Sequence, residues 1–144
     1  MRKTLYALLL PILICSCSDK EAQTEAQAGR MVNDARTLMK EGDYPRAKDC
    51  ILAMRRRFPT AFEARATGII VLDSIELLAA QDTLAMMDST LRAEQDILRE
   101  LEETKRRGHN ADFYRQRTHV FHLKQRSDEM EAKVRFYSRK IEVD

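Results

Sequence analysis

Two histidines, His119 and His122, have the types and spacing that come closest to a chemical site in this chain. They stand about one helical turn apart, and imidazole nitrogens are common metal ligands. A usable metal site needs a third or fourth ligand, which an acidic residue such as Asp96 could supply, whereas His109 lies about 15 Å away along a helix. Histidines on an ordinary helix surface are the more frequent explanation of such a pair, so metal binding through His119 and His122 is the alternative hypothesis rather than the leading one.

Catalytic motifs are not found in the sequence. It contains no Gly-rich phosphate loop, no nucleophile elbow and no HExxH pattern. Ser127 and Asp128 stand near His122 in sequence, but a triad requires an oriented geometry rather than nearness along the chain. Glu102 and Glu103 are adjacent and point in different directions on a helix. We therefore predict a protein that is not an enzyme, with no catalytic residues and no cofactor.

The N-terminal segment has the pattern of an export signal. Arg2 and Lys3 supply positive charge, and an apolar run follows from Leu5 to Ile14. This run is about half of the roughly 20 residues that a membrane-spanning helix needs. It ends in the sequence Ile14-Cys15-Ser16-Cys17, where small residues provide a processing site. The segment is therefore predicted to direct export rather than to span a membrane.

The end of this segment resembles the lipobox of bacterial lipoproteins, in which an aliphatic residue and small residues precede a cysteine that is acylated. The resemblance implies that residues 1–16 are a lipoprotein signal peptide and that lipid on Cys17 holds the protein at a membrane. Ser18 then implies transport to the outer membrane, on its periplasmic face or at the cell surface, and Asp19 and Glu21 are similar to the acidic export signals of Bacteroidetes lipoproteins. Plain secretion without lipid is the alternative. The polar residues 17–28 suit either a flexible spacer or a helix that frays, and we predict that they form a tether.

Composition narrows the classes of partner and of fold. Without Arg2 and Lys3 the chain has 23 basic and 23 acidic residues, and such a neutral protein is not expected to bind nucleic acid. Four Gly, three Pro, no Trp and 33% charged residues are typical of a mostly helical protein. Cys50 is left as a lone thiol, which we interpret as a small buried hydrophobic residue.

Residues 29–80 carry the second resemblance. Apolar periodicity predicts a helix from Arg30 to Met39 and a second from Tyr44 or Pro45 to about Phe58. The intervening turn, the second helix and a closing proline are similar to those of a tetratricopeptide repeat. By that resemblance the packing residues are Tyr44, Ala47, Ile51, Met54 and Pro59.

A further helix, beginning near Ala61, is consistent with the first helix of a following repeat, so we expect about one and a half tetratricopeptide-like helix pairs. The sequence Arg56-Arg57-Phe58-Pro59 is also similar to repeat-containing lipoproteins of outer-membrane β-barrel assembly.

Residues 81–144 are predicted to form a long antiparallel coiled-coil hairpin. Apolar residues recur at intervals of three and four along both halves, interrupted at Glu94 and at Ser127. Asp73 to Glu103 holds nine acidic and two basic residues, whereas Lys105 to Arg126 holds seven basic and one acidic. A turn at Gly108-His109-Asn110 would therefore bring opposite charges together, with Glu103 near Arg115 and Glu94 near Lys124.

Together these features predict an all-α, membrane-anchored lipoprotein of the cell envelope, held by lipid on Cys17. We expect it to act as a non-enzymatic helical interaction or scaffold module, whose partner is an envelope protein or a second copy. The alternative is a metal-binding protein or enzyme accessory that uses His119 and His122. A further alternative is a shortened member of a longer family whose functional domain would follow Asp144.

Overall fold

A computed structural model describes residues 4–105 and 110–143, with side chains from 20 to 103 and from 111 to 143. These residues form four α-helices and no strand: α1 (Thr4–Lys40), α2 (Tyr44–Arg57), α3 (Phe62–Lys105) and α4 (Asn110–Val143). The predicted all-α class is confirmed. The chain divides into two compact units, Met1–Ile75 and Glu76–Asp144, and α3 contributes residues to both. The division comes five residues before the predicted limit of the repeat-like region at residue 80.

The turn between α1 and α2 follows directly from its sequence. Gly42 has a φ of +78°, a left-handed conformation that glycine adopts without steric cost. The Gly42 N–H donates to the Met39 carbonyl at 3.1 Å and the Asp43 N–H to the Leu38 carbonyl at 2.9 Å, which completes a Schellman motif. The Asp43 side chain then accepts the Arg46 N–H at 3.2 Å and caps α2. Local residue chemistry therefore both ends α1 and starts α2.

Small side chains allow the three helices of the first unit to approach closely. Ala35 on α1 and Ala47 on α2 are completely buried. Gly68 on α3 is also buried, and a Cβ atom there would lie 2.8 Å from Cε of Met54 and 3.5 Å from Cγ2 of Ile51. The remaining core residues of the unit are Ala28, Val32, Phe58, Ala61, Ala64, Val71 and Ile75. The unit is thus a three-helix core built on close backbone approach.

The segment predicted as a tether, residues 17–28, is helical because α1 continues through it. Ala28 is completely buried in the core of the first unit. Glu25 of the same segment accepts the backbone N–H groups of Glu63 and Ala64, both at 3.2 Å. The segment is thus a helix that packs on α3 through Glu25, so the flexible spacer is corrected to a helix.

The second unit is an antiparallel helical hairpin. Lys133 contacts Glu76 at 2.8 Å, and the Ser127 hydroxyl donates to Asp88 at 3.3 Å. Farther along, the Gln116 amide donates to Glu94 at 2.6 Å, so residue numbers rise on α3 as they fall on α4. Ala80, Phe113, Val120 and Ser127 are its buried residues among those described. The predicted turn at residues 108–110 lies outside the described residues except for Asn110, which begins α4.

The charge pairs predicted across the hairpin are not the ones that form. Glu94 contacts Gln116 and His119 instead of Lys124, which lies 3.3 Å from Asp128 on its own helix. Arg115 lies 3.7 Å from Asp112, also on its own helix, rather than beside Glu103. Exposed ions gain little from one partner over another, so their positions follow the register instead of setting it.

Candidate functional site

Of the residues predicted for metal binding, the structure brings His119 close to a carboxylate, although that carboxylate is Glu94 and not Asp96. His119 Nε2 lies 3.9 Å from Glu94 Oε1 across the hairpin, with about half of the His119 side chain exposed. The Gln116 amide occupies the other carboxylate oxygen of Glu94 at 2.6 Å and also donates to the Glu94 carbonyl at 3.0 Å. The arrangement therefore joins α3 to α4 through a carboxylate whose two oxygens both have neighbours.

The other residues of the metal-binding alternative lie elsewhere. His122 packs edge-on against Phe121, with ring centroids 5.6 Å apart. Asp96 forms an ion pair with Arg99 on its own helix. His109 lies outside the described residues. In the part of the chain that the structure describes, no group of three or more His, Cys, Asp and Glu side chains could hold a metal ion.

The two polar interruptions in the apolar stripes both have partners across the hairpin. Glu94 receives the Gln116 amide, and Ser127 is buried while its hydroxyl donates to Asp88. A polar group inside a helical seam is costly without a partner, so these pairs favour one alignment of the helices over shifted ones. Their contribution is to the register of the hairpin.

The repeat-packing residues take up the following positions. Ala47, Ile51 and Met54 are completely buried, and Tyr44 is half-buried against the same core. Pro59 is exposed and follows the buried Phe58, where the chain leaves α2. Four of these residues therefore pack α2 into the first unit, while Pro59 lies at the surface beyond its end.

Cys50 is half-buried on α2 as a free thiol. Its Sγ donates to the carbonyl oxygen of Met31 at 3.3 Å. Burial raises the pKa of the Cys50 thiol, and the negative charge of Asp34 raises it further, against a smaller opposing effect of a backbone hydrogen bond from Ala35. The thiol is thus protonated at neutral pH, which suits a packing role better than a nucleophilic one.

One end of the first unit carries an exposed apolar surface. Phe62, Ile69 and Ile70 of α3 are 69%, 40% and 43% exposed. We call these three residues the α3 apolar face. α3 is the last helix of this unit. The geometry therefore leaves large apolar side chains available to another surface.

Sequence reasoning missed Glu25, although a signal for it exists. Ala61 precedes α3, and its carbonyl accepts the Arg65 N–H at 2.9 Å, which places Ala61 at the N-cap. Alanine has no side-chain oxygen to cap the helix. The first N–H groups of α3 are therefore left to water or to an acceptor from another segment, and Glu25 of α1 supplies such an acceptor.

The predicted lipid-attachment residue, Cys17, has its side chain outside those described. Among the described residues, no helix is both long enough and apolar enough to cross a membrane. No protein-family model, no curated protein and no solved structure matches the chain. The arguments about function below therefore rest on the residues of this chain itself.

Proposed function

We propose that the protein is a lipoprotein of the cell envelope, anchored through lipid on Cys17, whose helices act as a non-enzymatic interaction or scaffold module. The anchor is supported by the cationic start, the short apolar run and the Cys17 pattern of the N-terminal segment. Multiple acyl chains, as in the bacterial lipoproteins that it resembles, hold a protein far more firmly than one chain does. An outer-membrane position follows from the same resemblance and from Ser18.

The observation that carries the interaction role is the α3 apolar face. Phe62, Ile69 and Ile70 lie on a helix whose other side is packed in the core, so they are held in place before any partner arrives. Complete burial of a large apolar side chain is worth about 1.5 to 3 kcal/mol, and these partly exposed side chains would contribute a fraction of that amount each. We propose that this face binds an envelope protein or a second copy of the chain.

Metabolic labelling tests the anchor. A bacterial host that expresses the full chain is given an alkyne fatty acid, and the protein is examined for the label. We expect the wild type and Cys15→Ala to be labelled and Cys17→Ala to be unlabelled. Cys15→Ala is the matched control because it removes a neighbouring thiol without touching the proposed acylation site. Labelling that survives Cys17→Ala contradicts the anchor.

Site-specific photocrosslinking tests the interaction role. A photoreactive amino acid is placed at Ile69, and in a control chain at Gln81, an exposed polar position of α3. Illumination of intact cells is expected to give a discrete adduct at position 69 and none at position 81. Adducts of equal yield at both positions, or none at either, contradict a partner on the α3 apolar face.

Metal binding remains the second candidate, and the approach of His119 to Glu94 is the observation that favours it. Titration of the purified chain with zinc or copper tests it. Calorimetry measures the binding. Stoichiometric binding that His119→Ala abolishes supports a metal-binding role, whereas binding that His119→Ala leaves unchanged contradicts a site at His119.

A further inference from the structure

The outward side of α4 carries a line of exposed apolar residues. Tyr114, Phe121, Phe136 and Val143 are 52%, 66%, 59% and 87% exposed, and we call these four residues the α4 outer face. Their spacing along a helix of 3.6 residues per turn places them within an arc of about 60°. Half-buried Leu123 lies on the opposite side of the helix, toward the seam with α3. The α4 outer face is therefore not used by the hairpin itself.

Cationic side chains flank this apolar line at both ends. Arg117 lies with Tyr114, Thr118 and Phe121 around a shallow depression near the start of α4. Phe136 and Val143 share a second depression near its end with three basic residues, namely Arg135, Arg139 and Lys140. Aromatic rings beside guanidinium groups suit a boundary between apolar material and anions.

The two helices of the hairpin differ in charge. Residues 110–143 contain eight Lys and Arg against five Asp and Glu, whereas residues 76–103 contain two Arg against eight Asp and Glu. An anionic plane would therefore attract the α4 side of the hairpin and repel its α3 side. This difference in charge alone would orient the second unit on an anionic surface, with α4 toward the surface and α3 away from it.

We propose that the α4 outer face lies on the surface of an anionic lipid bilayer. The aromatic rings enter the boundary between headgroups and acyl chains, and Arg117 and Arg139 contact lipid phosphates. The four apolar residues extend along about 44 Å of one helix, a length that suits a flat surface better than a compact pocket. This inference rests on the proposed function, because a lipid anchor on Cys17 keeps the chain beside a membrane.

Tryptophan fluorescence tests the proposal, since the chain contains no Trp. Phe121→Trp places a single reporter on the α4 outer face, and Met86→Trp places a matched one on α3, where Met86 is also 66% exposed. Each full-length variant is mixed with vesicles of equimolar phosphatidylcholine and phosphatidylglycerol that carry brominated acyl chains. We expect a blue shift and strong quenching at position 121 and neither effect at position 86. Equal quenching at both positions, or none at position 121, overturns the proposal.

Charge variants and neutral vesicles sharpen the same measurement. Arg117→Gln in the Phe121→Trp chain is expected to lower the ratio of surface-bound to free reporter about fivefold, as expected for one cation near an anionic surface. Arg92→Gln, an exposed arginine of α3, is the matched control and should leave the ratio unchanged. With vesicles of phosphatidylcholine alone, we expect the Trp at position 121 to lose most of its quenching, because the neutral surface does not attract the arginines. Quenching that is as strong in neutral vesicles overturns the role assigned to the arginines.

The outcome is separable from that of the anchor test. A chain that takes up fatty acid on Cys17 but shows no quenching at position 121 retains its anchor and loses this inference. A chain without fatty acid that is still quenched at position 121 on anionic vesicles loses the anchor and retains a membrane-binding α4.

Discussion

The two units of this protein are both built from α-helices, but the helices within each unit pack against one another in different ways. In the first unit the small residues Ala35, Ala47 and Gly68 allow backbones to lie close together, and several side chains are completely buried. In the second unit the seam is mostly half-buried, and polar pairs such as Glu94 with Gln116 join its helices. The comparison teaches that close contact among three helices provides a core, whereas two helices alone rely on polar partners to fix their alignment.

The largest expected effect contrasts a core residue of each unit. Ile51→Ala leaves a cavity among completely buried side chains and should lower the free energy of unfolding by about 2 to 5 kcal/mol. Leu91→Ala in the half-buried seam should lower it by clearly less, because part of that side chain already contacts water. Urea denaturation followed by circular dichroism measures both. Equal losses would break the distinction between the units.

The next effect concerns Gly29 and Gly68, two glycines within the described helices. Gly68→Val places a branched side chain against Ile51 and the terminal methyl of Met54, which must move aside, and should cost about 1 kcal/mol of stability. Gly29→Ala meets no atom within 4 Å and should stabilise the chain by up to about 1 kcal/mol, because alanine favours a helix. Thermal unfolding of the two variants measures the contrast. A harmless Gly68→Val would show that α2 and α3 do not depend on close approach.

A smaller effect is expected at the cap of α3. Glu25→Ala removes the acceptor of the Glu63 and Ala64 N–H groups and should lower stability by about 1 kcal/mol. Hydrogen exchange of those two amides should become faster. The exposed Glu21 on the same helix is the control, and Glu21→Ala should leave both amides protected. Unchanged exchange in Glu25→Ala would mean that the cap contributes nothing.

The smallest effect is the pH dependence of stability that Cys50 contributes. It is measured in a chain with Cys15 and Cys17 replaced by Ser, so that Cys50 is the one remaining thiol. The pKa of the folded thiol lies above its ordinary value of 9.0, so folding disfavours the thiolate. The contribution of Cys50 to stability is therefore fully present below pH 9 and is lost as pH rises through the folded pKa. Alkylation by iodoacetamide should accelerate at a higher pH in the native chain than in urea. Coincident pH profiles would contradict a buried thiol.

Sequence predicted the parts of the fold that depend on neighbouring residues. Gly42 and Asp43 determine the first turn by their own backbone and side-chain chemistry, and the apolar periods indicate the long helices. The predicted register of the hairpin was wrong because an apolar stripe of regular period fits several alignments of the two helices equally well. Which alignment forms depends on specific partners, such as Gln116 for Glu94, and periodicity contains no information about them.

The same reason explains the error in residues 17–28. Their polar composition fits a tether, and only the contact between Glu25 and the start of α3 shows that the segment belongs to the core. Of the candidate site, the packing role of Ala47, Ile51 and Met54 was predictable from spacing. The exposure of the α3 apolar face was not, because it depends on which helices follow in space.

The contact between Glu25 and α3 also has a mechanical consequence. If lipid holds Cys17 as proposed, a force on the anchor is transmitted through a continuous helix rather than through a flexible linker. Residues 17–28 would then be a helical connection of about 18 Å, which would restrict the motion of the folded unit relative to the membrane more than a flexible linker would. Tension on the anchor would then be carried by the contacts of the Glu25 carboxylate and of the buried Ala28.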